Sequence, residues 1–237
     1  MILYLKFIKN VLRKLIKGKN FTPLYTNREE RYAFIFKTFK KYIKNSVLDV
    51  GCSEGYLKDY LTDDIQYVGI DIEGEPDFIV DLEKDKLSMF KDKSFFLVIC
   101  TEVLEHLDNL HEIFDELARV SEKYIIISLP NSWFLFKFPL FQGKSKINYK
   151  FYGLPKEKPP DRHKWFFNYD QALEFAKYRA EKNNYLIKTT FPTPIFHNNL
   201  ITSIFDLIFR IYYRNNYGYN NLHYLNLWVL LERRKNL

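Results

Sequence analysis

VLDVGCSEGYL, residues 47–57, carries three structural signals in one short stretch. Val47, Leu48 and Val50 form an apolar run of the kind buried in a sheet. Gly51 and Gly55 mark a tight turn, and the pattern beyond them predicts a helix over residues 55–61. Outward from here, strand-like runs occupy 67–70, 77–82, 95–100, 124–129, 185–191 and 225–232. Helical patterns fall at 28–43, 110–120, 169–181 and 200–214. The strands FFLVIC and YIIISL are apolar throughout instead of alternating. β and α elements that alternate, with strands of this kind, predict an α/β fold with helices on both faces of a mainly parallel sheet.

Two segments break the rhythm. Residues 74–94 hold a strand but no strong helix, and 131–168 form a long irregular insertion rich in aromatics, lysine and proline. A loop of that length in a compact domain reads as a lid. Ahead of the alternating region, residues 1–22 are expected to form a basic amphipathic helix, leaving 23–237 as the main domain. Tyr4, Leu5, Ile8, Val11, Leu12 and Leu15 recur at helical spacing, with Lys6, Lys9, Arg13 and Lys17 opposite.

Charge follows the same division. Of the net +7, residues 1–20 contribute +6 and residues 137–164 another +6, so the remaining body carries −5. An acidic body with two basic pieces is not a nucleic-acid coat, and nucleic acid is not the favoured partner. Only two cysteines occur, Cys52 and Cys100, too few for a zinc set or a disulfide framework. Reduced thiols and a cytoplasmic location are the expectation. No run of 18 apolar residues suits a membrane span, and Lys6, Lys9, Arg13 and Lys14 interrupt any signal-peptide core.

A strand, a glycine turn and a helix can serve several chemistries. Gly51-Cys52-Ser53-Glu54-Gly55 matches G-x-S-x-G, but a nucleophile elbow follows several strands and borrows an oxyanion donor from an earlier loop. Only one strand precedes Ser53. A dinucleotide's pyrophosphate needs close backbone approach at the middle glycine of G-x-G-x-x-G, where this chain has Ser53. It also disfavours the carboxylate of Asp49 at the strand end. S-adenosylmethionine (SAM) has no phosphate. Its ammonium suits Asp49, directly or through water, and its carboxylate suits the amides of a helix N-terminus. Twenty residues past Gly51, YVGIDI ends a strand at Asp71, placed to accept ribose hydroxyls.

With VLDVGCSEGYL, YVGIDI, DFIVDL, FFLVICTEVLEHL, YIIISLPN and LNLWVLLER in place, the chain resembles the class I SAM-dependent methyltransferases over about residues 46–232. The resemblance implies a Rossmann-like, doubly wound, seven-stranded sheet of order 3-2-1-4-5-7-6 with one antiparallel strand. It implies a cofactor site of Asp49, Gly51, Cys52, Ser53, Gly55 and Asp71, with Ile72 on adenine and Asp81 and Leu82 near its amino group. Thr101, Glu102 and Val103 would line the methionine end.

TEVLEHLDN and DRHKWFFNYDQ carry the catalytic candidates. Glu102, Glu105 and His106 stand at i, i+3 and i+4, one face of a helical turn, and His163 comes from the end of the insertion. E-x-x-E-H followed by R-H-x-x-F-F resembles the small-RNA 3′-terminal 2′-O-methyltransferases, and the ubiquinone-pathway O-methyltransferases show a related E-x-x-E-H. That resemblance implies a divalent metal, magnesium or manganese, on Glu102, Glu105, His106 and His163. The alternative is metal-free: His106 or His163 as general base, with Glu105 beside it.

For the acceptor, the basic aromatic insertion suits an anionic small molecule or glycan with an apolar part. The expectation is O-methylation of a saccharide or of a lipid-linked or phosphorylated compound. An RNA 3′ end is the alternative within enzymes. A catalytically inactive SAM-fold binding module is the alternative outside them, against which the intact Asp49, Gly51 and Asp71 argue. Residues 1–20 would contact the inner membrane face peripherally, or else pack on the protein's own core or a second subunit.

Overall fold

Seven strands form the central sheet: β1 (Ser46–Val50), β2 (Gln66–Asp71), β3 (Phe78–Ile79), β4 (Phe95–Thr101), β5 (Ser121–Pro130), β6 (Tyr185–Phe191) and β7 (Asn226–Arg233). This computed structural model describes residues 21–141, 143, 153–154, 156–159, 161–193, 195–197, 200–212 and 218–235. The helix expected within residues 1–22 lies almost entirely outside them. The strand order is 3-2-1-4-5-7-6, and β7 runs antiparallel to both of its neighbours, as expected. β1 sits parallel between β2 and β4, with Asp49 opposite Gly69 and Ile99.

The apolar strands are buried on both faces, which explains why their sequences do not alternate. Val47 points to one core, with Tyr32, Ile35, Phe39 and Trp228. Leu48 and Val50 point to the other, with Ile113, Phe114, Leu117 and Ala176. Asp49 shares the face of Val47 by the two-residue period of a strand. The first core is covered by α1 (Arg28–Phe39), which continues as a tight turn over Lys40–Tyr42. The Asn27 side chain caps it by accepting the amide of Glu30. The second core is covered by α2 (Leu110–Val120), whose Leu110, Ile113, Phe114 and Leu117 are buried at helical spacing.

Three differences from the sequence expectation stand out. Residues 55–61 do not form an α-helix. Gly55, at φ +69°, opens a series of three-residue hydrogen bonds (Gly55 to Cys52, Lys58 to Gly55, Tyr60 to Leu57) that ends in a 3-10 turn at Lys58–Tyr60. The left-handed Gly55 stands where the helix would start, and so short a segment has few hydrogen bonds with which to repay nucleation. The insertion does not begin irregularly but as α3 (Ser132–Phe141), capped by Asn131, whose side chain accepts the amides of Trp133 and Phe134. Its sequence WFLFKFPLF is apolar on all sides and so carries no helical period. Finally, Phe21–Pro23 pairs antiparallel with Ile195–His197 in a separate two-stranded sheet.

The insertion's Tyr149, Phe151 and Tyr152 lie outside the described residues. The chain returns extended over 161–168 and enters α4 (Tyr169–Lys182) through a capping box of Asn168 and Gln171. α5 (Leu200–Tyr212) and the short α6 (Gly218–His223) precede β7.

Candidate functional site

The turn after β1 is clamped to the turn after β2. Gly51 has φ +80°, and a Cβ there would lie 2.2 Å from Val103 Cγ2, so this position accepts only glycine. Ser53 is also left-handed, at φ +53°, a conformation costing about 1–2 kcal/mol for a residue with a side chain. Three contacts hold it. Its amide donates to Asp71 Oδ2 (2.8 Å), its hydroxyl accepts from Arg28 (2.6 Å), and its carbonyl accepts the amide of Glu75 (2.9 Å). Gly74 crosses so closely that a Cβ there would meet the Ser53 carbonyl oxygen at 2.5 Å. With an arginine instead of a histidine on its hydroxyl, Ser53 is a structural serine.

Asp71, the residue expected to take the ribose, therefore staples the two turns. Its Oδ1 takes the amides of Ile72 (2.7 Å) and Glu73 (3.3 Å). A carboxylate has about four acceptor positions, so room for ribose hydroxyls remains. Ile72 beside it is 63% exposed, open to a flat apolar ring. Asp81 is held by Lys84 (2.6 Å), whose ammonium keeps its carboxyl below the usual range. Leu82 is buried and its carbonyl accepts from Asn109.

Asp49 is fully buried, and both its oxygens are engaged, Oδ1 by the Tyr32 hydroxyl (3.1 Å) and Oδ2 by the Tyr67 hydroxyl (2.9 Å). Burial pushes its carboxyl up to about 7, with the two tyrosines pulling the other way. Direct acceptance of an ammonium would therefore compete with two hydroxyls. Sequence reasoning missed both: Tyr32 reads as one more apolar position of α1, and Tyr67 as a strand residue. Cys52 and Cys100 are buried free thiols; burial pushes Cys52 up to about 12, so both stay protonated.

The end of β4 is built differently. Glu102 has φ +57°, which interrupts any helical continuity before the 3-10 turn Leu104–His106. Glu102 consequently does not share a face with Glu105 and His106. Its Oε1 accepts from the Ser128 hydroxyl (3.0 Å) and lies 3.5 Å from Asn226 Nδ2. Asn226 also donates to the Tyr25 hydroxyl, which contacts Thr193, a network with no signal in the sequence. Thr101 is buried, with no partner for its hydroxyl oxygen, and Val103 packs against Gly51.

Three of the four expected ligands do converge. One donor atom each of Glu105, His106 and His163 lies within 4.8 Å of the others. Glu105 Oε1 stands 3.9 Å from His106 Nε2 and 4.0 Å from His163 Nε2. The imidazoles meet edge to face at 4.5 Å. His163 is brought in by the returning segment, registered by the Lys164 amide on the Glu105 carbonyl (2.8 Å) and the Trp165 indole on the Leu107 carbonyl (2.7 Å). Asp161, two residues before it, stands 2.6 Å from His106 Nδ1. Glu105 is 1% exposed, and neither carboxylate oxygen has a hydrogen bond among the described residues. Burial first, and the charge of Glu102 second, push its carboxyl well above the usual range.

A methyltransferase-domain family model matches residues 7–185. No curated protein matches the chain in sequence. Among solved structures, the fold is similar to that of the small RNA methyltransferase HEN1, at TM-score 0.54 and 18% identity over 88% of this chain. The match covers 25% of that protein, so the chain spans about a quarter of its length. It is also similar to a SAM-dependent methyltransferase from Archaeoglobus fulgidus, at TM-score 0.52 and 17% identity, covering 87% of this chain and 95% of that one. A third likeness is to the magnesium protoporphyrin IX methyltransferase of Synechocystis PCC 6803 with bound SAH, at TM-score 0.51 and 15% identity, covering 87% and 83%. At such identities the shared property is the fold.

Proposed function

The chain belongs to the methyltransferase-domain family, and we propose that this SAM-dependent enzyme methylates a hydroxyl oxygen presented to Glu105, His106 and His163. The observation that supports this most is the meeting of two histidines and a carboxyl just past the end of β4, where Val103, two residues beyond the strand, packs against the glycine turn. In a doubly wound sheet, ligands collect at that edge.

SAM supplies an electrophilic methyl group, so the protein's task is to position a hydroxyl and take its proton. Asp161 accepts from His106 Nδ1 and so fixes the ring with Nε2 as the acceptor. Nε2 would take the hydroxyl proton as the methyl passes to the oxygen, the carbon–sulfur bond of the sulfonium breaking to release the neutral thioether, and Asp161 would stabilise the resulting imidazolium. His163 stands edge-on to this ring and limits its rotation.

The same residues fit a divalent cation. The orphaned carboxylate of Glu105 and two imidazole nitrogens form a mixed donor set, and Asp161 provides the outer carboxylate common behind ligating histidines. Glu105, His106 and His163 would hold magnesium or manganese, which lowers the pKa of a hydroxyl bound to it. Loss of transfer on chelation and its return with Mn²⁺ marks the metal-assisted form; indifference to chelator marks His106 as the sole base.

The acceptor belongs to the same proposal: a saccharide, or a lipid-linked or phosphorylated compound, carrying an anionic and an apolar part. The basic insertion supports the anionic part. The basic stripe of residues 1–20 supports peripheral contact with the inner membrane face; among the described residues no helix is long and apolar enough to cross a membrane. A terminal RNA hydroxyl would meet the same cluster, but the body outside the two basic pieces carries −5 and offers little to a phosphate backbone. Labelled SAM offered with sugar phosphates, lipid-linked sugars and short RNAs tests the choice. Label in the RNA alone would overturn the small-molecule reading.

A further inference from the structure

A cavity of about 140 Å³ adjoins the histidine cluster and does not coincide with the cofactor turns. Its walls come from five places: Leu104 after β4, Leu110 on α2, Leu129 near the end of β5, Phe167 of the returning segment, and Ala172 with Phe175 on α4. Trp165, more than a third exposed, closes one side. The lining is mainly apolar; His111 and Gln171 are its other polar members, and its single carboxyl is Glu105. Glu105 is thus the one residue common to the cavity and the donor cluster.

Two properties indicate what such a cavity takes. An apolar cavity on the order of 150 Å³ stays dry and binds a ring the size of benzene. A buried carboxyl with both oxygens unbonded carries a desolvation cost that a ligand's polar group can relieve. A bare sugar could meet the second condition but not the first, because its remaining hydroxyls would lose their water against leucine and phenylalanine.

We propose that this cavity is an apolar subsite for the acceptor. It takes one six-membered carbocycle or one branched five-carbon unit, and the oxygen attached to that unit hydrogen-bonds to Glu105 at the edge of the histidine pair. The proposal rests on the reading of the cluster as the acceptor site. It adds that the apolar part of the acceptor lies directly beside the methylated hydroxyl, not at the far end of a lipid tail.

The test uses phenol and prenyl alcohol as probes on the full chain, with binding followed by ligand-detected NMR with and without saturating SAM. Millimolar binding of both is expected, with no binding of glucose. Ala172→Met fills the cavity and should weaken phenol binding about tenfold while SAM affinity stays within about twofold. Should Ala172→Met not fold, Phe175→Leu enlarges the same wall and should shift preference from phenol toward 2-naphthol. Undetectable binding of both probes to a chain that still binds SAM overturns the subsite, as does phenol binding unaffected by either substitution. Failure to bind SAM is a separate result that overturns the methyltransferase reading, because the probe titration does not require cofactor.

Discussion

The glycine-turn edge and the end of β4 are neighbours in one sheet, yet they are built on opposite principles. At the glycine turns every costly feature has a partner. The left-handed Ser53 is held by Asp71, Arg28 and Glu75, and the buried Asp49 by two tyrosines. At the end of β4 the costs are left open. Glu102 is left-handed, Glu105 is buried with both oxygens unbonded, and Thr101 has no partner for its hydroxyl. Strain and unmet polar groups persist only where the surrounding structure over-determines them, and they gather at sites of chemistry. On the reading proposed above, the satisfied edge would be a preformed cofactor seat and the unsatisfied one the place for an acceptor or an ion.

The contrast predicts separable effects. The largest belongs to the open edge: His106→Ala should lower kcat by about 10²–10⁴, the usual contribution of a positioned general base, with SAM affinity unchanged. A comparable loss of SAM affinity would merge the two regions and break the comparison.

Next comes the closed edge. Gly51→Ala pairs a left-handed backbone with a 2.2 Å clash against Val103. SAM affinity should fall by about 2 kcal/mol or more, roughly thirty-fold. Adding Val103→Ala should recover part of it by removing the clash while the backbone strain remains. Calorimetric titration of the single and double variants reads both terms; no recovery would mean that strain alone sets the cost.

The smallest effect sharpens the electrostatics of the seat. Burial raises Asp49 to about 7. A carboxyl raised on folding favours the folded chain while protonated, fully so below the ordinary carboxylate range, and this contribution is gone above about 7. The ammonium of SAM favours the ionised form. SAM affinity should therefore strengthen with pH between about 5 and 7, by at most about tenfold per unit, then level off. Asp49→Asn should flatten the profile, and a slope that survives in the variant would assign it to another group.

The two regions also differ in how they show in sequence. Asp49, Gly51 and Asp71 are legible because strand ends and turns are local events with fixed spacing. The strands themselves are legible because burial on both faces leaves continuous apolar runs such as FFLVIC. The partners that complete the seat are not. Arg28, Tyr32 and Tyr67 reach it from elements 17 to 25 residues away, through contacts that no spacing rule encodes. At the other edge, E-x-x-E-H suggests a shared helical face, but the left-handed Glu102 breaks the turn and removes that residue from the cluster. Asp161 completes it from 55 positions away. The two-stranded pairing of Phe21–Pro23 with Ile195–His197 is hidden for the same reason.

On this reading the cofactor seat is complete without the acceptor cluster. Its most direct test is the SAM dissociation constant of the triple variant Glu105→Gln, His106→Ala, His163→Ala, measured by calorimetry beside the unaltered chain. Values within about twofold of each other are expected, alongside abolished methyl transfer. A loss of SAM affinity of about tenfold or more in a folded triple variant would contradict it.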